Sequence, residues 1–483
     1  RLCRMETYDV VIVGAGVSGI SAGYHLRKQG FTVAILDAAP GVGGTWQHIQ
    51  FPGIRSDSDM VSYSFTWYKW TRPDKLADAA EIKEYLDEAV AFAGISDAFH
   101  FNTRVKTTSY SSADHQWTIT SDKGNVYRSQ FLFMAAGYYE YDSAYTPEFP
   151  KIDQFQGRVV HPQQWAPSPS EWKDKRVVVI GSGATAATIT PAMAKSGAKH
   201  VTMLQRSPGY WVAETKSANV FNPVSKVLGV TIAFHLTRVL YFFISWVLIT
   251  LCTYKPDWVR TFIKKKMAPL LPEDFDADVH FNPRYDPWDE RVCLIADGDF
   301  FTCLREGTVS VVTDTVDHFE ERSIALTSGE RIDDVDLVCT ATGFNLHPSL
   351  PFPSNIEVLI DGKPYNPRSH FFYNSCMVSD VPNFIFTMGY FRYSWTIKAD
   401  LVSAYAARLW GHMRDEKLLQ VRVRRPADLQ EVQPSDALKC GYLKRCLDKV
   451  TRYGPGIWTI SQSPFTDMWR LRYAAFGKEM EFS

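Results

Sequence analysis

Two short apolar runs in the first half of the chain lead through glycine-rich turns into segments rich in small residues. Asp9-Val10-Val11-Ile12-Val13 passes through Gly14-x-Gly16-x-x-Gly19, and residues 31–36 then form a second apolar run. Arg176-Val177-Val178-Val179-Ile180 passes through Gly181-x-Gly183-x-x-Ala186, and residues 201–204 form its second run. Unbroken apolar runs of this length predict strands buried on both faces, and their alternation with helical stretches predicts parallel βαβ units. The expected class is α/β, with two Rossmann-like dinucleotide-binding domains and a helical insertion.

The same pattern places residues 1–147 and 336–483 in the first nucleotide domain and its C-terminal region, and 148–213 and 291–335 in the second, with 214–290 as the insertion. Strand-like residues 131–134 end at Ala135-Ala136-Gly137, where glycine lets backbone approach a cofactor. Residues 336–340 end similarly at Ala341-Thr342-Gly343, and are expected to return the chain to the first sheet. Residues 309–312 and 324–327 are expected to rejoin the second domain. The apolar run 239–252, preceded by Ile232-Ala233-Phe234 but interrupted at His235 and Arg238, falls short of the ~20 residues that span a bilayer. It predicts a buried or substrate-lining helix, with interfacial membrane contact as the lesser reading.

A length of 483 residues suggests two to four domains, and 52 basic against 53 acidic residues leave no electrostatic footprint for nucleic acid. The eight cysteines (Cys3, Cys252, Cys293, Cys303, Cys339, Cys376, Cys440 and Cys446) lack CxxC spacing, which favours reduced core thiols over a metal site or disulfide framework. Met5 directly precedes the first strand, so Arg1 to Arg4 read as an upstream remnant, and no signal-peptide run comes before the fold. An intracellular, cytoplasmic protein is expected.

Each glycine turn suits a pyrophosphate resting on free N–H groups at a helix start. The first turn supplies Gly14, Gly16 and Gly19, and the second Gly181, Gly183, Thr185 and Ala186. The residue ending the second strand of each unit faces a ribose. Asp37 accepts hydrogen bonds from unmodified hydroxyls, so the first site reads as FAD or NAD. Gln205-Arg206-Ser207 places a guanidinium where a 2′-phosphate would sit, so the second reads as NADP.

Several motifs give the chain a family resemblance. Phe155-x-Gly157-x-x-x-His161-x-x-x-Trp165 precedes the second turn. Gly43-Gly44-Thr45-Trp46 is followed by Phe51-Pro52-Gly53-Ile54-Arg55-Ser56-Asp57. With Asn282 to Arg291, Ala341-Thr342-Gly343 and residues 394–400, these resemble the class B flavoprotein monooxygenases, and within them the type I Baeyer-Villiger enzymes. The chain is similar to the branch containing the mycobacterial ethionamide-activating monooxygenase. The likeness covers nearly the whole chain, although Ala166 stands where the fingerprint usually continues with Pro or Asp.

The resemblance implies FAD at the first site, NADPH at the second, and conversion of ketones to esters or lactones with dioxygen through a flavin peroxide, with sulfides also oxygenated. It implies Arg291 as the catalytic cation and Asp57 as its partner, with Gly44, Thr45 and Trp46 beside the flavin. Phe155, Gly157, His161 and Trp165 would couple the domains. Arg291 also reads as a structural partner of Asp286, Asp289 or Glu290, Asp57 as a loop cap, and His161 as a linker anchor. Trp46 and Trp395 line the cofactor region or serve as core residues. Many relatives carry Lys where this chain has Glu290, which shifts the 2′-phosphate contact onto Arg206.

Oxygenation mainly at sulfur or amine nitrogen is the alternative. A disulfide reductase would need a redox cysteine pair near the flavin, and no close pair precedes Cys252. A non-catalytic flavoprotein sits poorly with intact glycine turns and Arg291. No metal site and no obligate protein partner are expected.

Overall fold

The computed structural model describes residues 5–217, 221–433, 441–446 and 448–483. Arg1 to Arg4, with Cys3, and Cys440 lie outside them. The first sheet has nine strands. Met5–Val13 runs parallel to Val33–Leu36 on one side and to Val126–Met134 on the other, with Val11 opposite both Ala34 and Leu132. Phe384–Phe386 adds parallel to Val126–Met134. Its two faces are covered by different cores. Helices Val17–Lys28 and Trp395–Asp415 pack against one, around Ile12, Phe133 and Trp410. Trp117, Phe352 and Phe384 pack on the other. Coverage on both faces explains why these strands are apolar without alternation.

The second sheet is wholly parallel, in the order Val309–Thr313, His200–Gln205, Arg176–Ile180, Leu337–Thr340, Arg158–Val160. Leu337–Thr340 therefore corrects the expectation that it returns to the first sheet. It lies in the second, with Val338 opposite both Val178 and Val159. All four of its residues are buried, and such a run suits the middle of either sheet, so hydropathy does not distinguish them. Glu357–Ile360 and Phe384–Phe386 make the return. Ile324–Leu326 likewise stays out of the parallel sheet. It sits in a three-stranded antiparallel sheet whose Phe319 and Ile324 pack on Phe155, Val178 and Leu204.

The insertion contains helices Phe221–Leu228, Val230–Tyr254 and Pro256–Met267. Gly229 separates the first two at φ +79°, a conformation open to glycine. The expectation of a buried helix is corrected: only 17% of the most apolar window of Val230–Tyr254 is buried. Arg238 does not interrupt it. Its guanidinium turns inward and donates to the carbonyls of Val61 (3.2 Å) and Ser64 (2.9 Å), leaving apolar neighbours outside. The six described cysteines are buried.

Candidate active site

The two glycine turns repeat one steric device. A Cβ on Gly14 (φ +111°) would lie 2.5 Å from the Ala135 carbonyl oxygen, and one on Gly181 (φ +145°) 2.3 Å from that of Ala341. Each turn thus needs glycine because a neighbouring strand end presses on it. Ala135-Ala136-Gly137 adjoins the first turn. Ala341-Thr342-Gly343 adjoins the second, where Thr342 donates to the Tyr145 carbonyl at 2.8 Å. Helices Val17–Lys28 and Ala184–Lys195 begin at Gly16 and Gly183 without a side-chain cap, which leaves N–H groups for an anion.

The first turn opens into a cleft lined by Gly14, Gly16, Asp37, Thr45, Trp46 and Tyr63 together with Gly137, Tyr138, Tyr141 and Trp395. The fit to FAD rests on its backbone. Gly16 and Gly44 approach so closely that a Cβ on Gly44 would sit 2.9 Å from the Gly16 Cα, giving a side-chain-free floor beside the helix start. Asp37 is fixed in this cleft, its two carboxylate oxygens accepting from the Ala15 (2.6 Å) and Ala39 (2.7 Å) N–H groups. Trp46 donates to the Tyr63 hydroxyl at 2.6 Å, and Trp395 donates to Ser18 at 3.1 Å while stacking on Tyr138. Both tryptophans line the cleft.

Asp57 and Arg291 come from separate parts of the chain. The loop 51–59 leaves the first domain and lies against the second, where a Cβ on Gly53 would meet that of Ala192 at 2.7 Å. Arg55 clamps it with two bonds to Asp299, at 2.7 and 3.2 Å. Arg291 enters two residues before strand Cys293–Ala296, which pairs with Trp211–Glu214. Its guanidinium donates to Asp57. Capping in this acidic run belongs to Asp59, which accepts the Ser62 N–H at 2.7 Å and starts helix Met60–Tyr63. Asp286 engages Arg260 at 3.0 Å. Burial raises the Tyr63 hydroxyl pKa, the Trp46 hydrogen bond opposes that rise, and the Asp57 charge adds to it.

At the second site Arg206 and Ser207 follow His200–Gln205 and are exposed. Burial raises the Glu290 carboxyl above its ordinary pKa, and the positive charges of Lys444 and Arg206 pull against it. Lys444, from the C-terminal region, thus joins the electrostatics of a site whose motifs lie some 240 residues earlier in the chain. The sequence holds no local signal for it. Tyr63, Tyr138 and Tyr141 were also missed, although Tyr138 directly follows Ala135-Ala136-Gly137.

The fingerprint residues divide by role. Phe155 and Trp165 are buried in different cores, and Trp165 donates to Glu171 at 3.0 Å. Gly157 is required because a Cβ there would meet the Phe155 ring at 2.5 Å. His161 Nδ1 accepts the Gln163 N–H at 3.2 Å, and its ring meets Phe344 edge-on. Burial lowers its pKa, and its buried Nε2 has no hydrogen-bond partner among the described residues.

The chain is 38% identical over 480 residues to the FAD-containing monooxygenase EthA of Mycolicibacterium smegmatis, covering 98% of this chain and 96% of that protein. It is 37% identical over 476 residues to the probable FAD-binding monooxygenase AlmA of Acinetobacter baylyi, covering 97% and 94%. A model of the pyridine nucleotide-disulphide oxidoreductase family matches residues 11–227. That stretch contains no cysteine, so the match concerns the nucleotide-binding scaffold. Among solved structures, an oxidized steroid monooxygenase bound to NADP superposes with TM-score 0.77 at 20% identity over 99% of both chains. Cyclohexanone monooxygenase from Rhodococcus sp. Phi1 bound to NADP+ gives 0.71 at 21% identity over 86% of both. At these identities the structures establish a shared fold.

Proposed function

Because the chain belongs to the family of FAD-containing monooxygenases, at 38% identity over 98% of its length, we propose that it uses NADPH and dioxygen to convert ketones to esters or lactones. The observation that carries this reading is the Arg291–Asp57 pair, which joins the segment entering strand Cys293–Ala296 to the loop leaving the flavin cleft. Bound FAD supplies the redox chemistry, accepting hydride and activating dioxygen. The protein binds, orients and shields.

Gly16 and its helix start receive the pyrophosphate, and Asp37 the adenosine ribose. Trp46, Tyr63 and Trp395 wall the cleft against water, which strengthens every charge interaction inside it. Arg291 stabilises negative charge developing on the substrate carbonyl oxygen. Asp57 holds the guanidinium in place. Arg206, with Lys444, receives the 2′-phosphate, offsetting Glu290. His161 positions the crossover during domain movement.

Oxygenation at sulfur is a second reading, favoured by one observation. Arg291 and Asp57 are 37% and 40% exposed, so the cation is partly neutralised and open to water. Such a site favours proton delivery and electrophilic oxygen transfer over nucleophilic attack. Product identification by mass spectrometry, with a ketone and a sulfide under identical NADPH turnover, decides between them. Turnover that consumes NADPH and oxygenates neither would remove both.

A further inference from the structure

The helix Val230–Tyr254 poses a problem that the reaction does not solve. It is 25 residues long, about 37 Å at 1.5 Å per residue, and contains no acidic residue. Leu236, Val239, Phe243, Ile244, Trp246 and Leu248 are all exposed along it. A contiguous apolar face of this extent marks a docking surface.

The face continues onto other elements. Phe242 packs edge-on against Phe465, 5.0 Å between ring centroids, which brings the C-terminal segment with exposed Trp469 and Tyr473 alongside. At the other end, helix Pro256–Met267 exposes Trp258 and Phe262, stacked 5.5 Å apart. Residues 221–267 hold seven basic side chains and one acid, Asp257, in a chain whose net charge is −1. Lys255, Lys265 and Lys266 are exposed where the apolar face ends.

We propose that this face is the seat of the protein on the surface of an anionic phospholipid bilayer. Tryptophan and tyrosine beside a long apolar stripe, bordered by lysines, match the layering of acyl chain, interface and phosphate. The helix lies on the bilayer and does not cross it, because both ends are fastened to the body. Ala233 and Phe234 pack on Val61, and Cys252 packs with Tyr210, Val259 and Ile263. Arg238 adds its two backbone bonds. A second copy of the chain would repel these lysines with its own. Val61 belongs to the short helix that ends at Tyr63 in the flavin cleft, so the bilayer face lies one helix from the reaction site.

The test is co-sedimentation of the flavin-loaded enzyme with vesicles of phosphatidylcholine alone or mixed with about one third phosphatidylglycerol, at low and high salt. Anionic vesicles should bind at least about tenfold more tightly than neutral ones, with the difference shrinking in salt. Lys265→Glu/Lys266→Glu should lose on the order of tenfold or more of that binding. Phe243→Ser/Trp246→Ser should reduce binding to both vesicle types, with the flavin spectrum and thermal transition retained. Wild-type enzyme left in the supernatant with anionic vesicles overturns the proposal. So does an oligomer that Phe243→Ser/Trp246→Ser converts to monomer with vesicle binding unchanged, since the face would then join copies of the chain.

Discussion

Replacing Arg291 with methionine removes a charge while keeping most of the side-chain volume, and the structure separates its effect on folding from its effect on chemistry. The Arg291–Asp57 pair is 37% and 40% exposed, and exposed pairs contribute about 0.2–1 kcal/mol. The thermal midpoint should therefore fall by no more than about 2–4 °C. Loss of a group that stabilises charge in the transition state costs ~10²–10³ in rate, about 3–4 kcal/mol. Product formed from a ketone, measured beside NADPH consumption, should drop by that factor while NADPH oxidation continues. A purely structural pair behaves differently, because product yield and midpoint would decline together and the rate by about fivefold at most. Observing that parallel decline would refute the catalytic assignment, and Arg291→Lys restoring part of the product would support it.

Removing the Arg206 guanidinium (Arg206→Ala) should raise KM for NADPH by roughly 10–100-fold, the loss of one charge-assisted contact, and leave KM for NADH nearly unchanged. Equal effects on both cofactors would contradict the 2′-phosphate role. His347 is 4% exposed, and burial brings its pKa from 6.5 down to about 4. The native state binds fewer protons than the unfolded one between these values, so the associated stability is intact above pH 6.5 and lost as pH falls towards 4. That loss is about 3 kcal/mol, and His347→Gln should flatten the urea midpoint over this window. Lys398 and Asp467 form a fully buried pair at 3.2 Å, so Lys398→Met leaves a carboxylate without its cation and should destabilise by ~3–5 kcal/mol in urea unfolding. A change below about 1 kcal/mol would show that Tyr390 and Ser375, which donate to Asp467 at 2.8 and 2.9 Å, suffice.

Both nucleotide turns were legible in the sequence because their requirement is local: a strand, a glycine pressed by a neighbouring carbonyl, and an uncapped helix start. Gly14 and Gly181 announce themselves for that reason. Asp57 and Arg291, named from motif likeness, are 234 residues apart. Their meeting depends on the loop clamped by Arg55 and on the pairing of Cys293–Ala296 with Trp211–Glu214. Lys444 had no motif to mark it and became visible only through its charge acting on Glu290.

Hydropathy along the chain determined that Leu337–Thr340 is a buried strand and that residues 239–252 favour an apolar helix. It did not determine which sheet receives the strand or what the helix faces. An apolar run reports that a segment avoids water, and that condition is met equally by the middle of either sheet, by a core, or by a lipid surface. Tertiary structure placed the strand through the register of Val338 with Val178, and turned the apolar face of the helix outward through Arg238 bonding to the Val61 and Ser64 carbonyls. Those contacts join residues distant in sequence, so no local pattern encodes them.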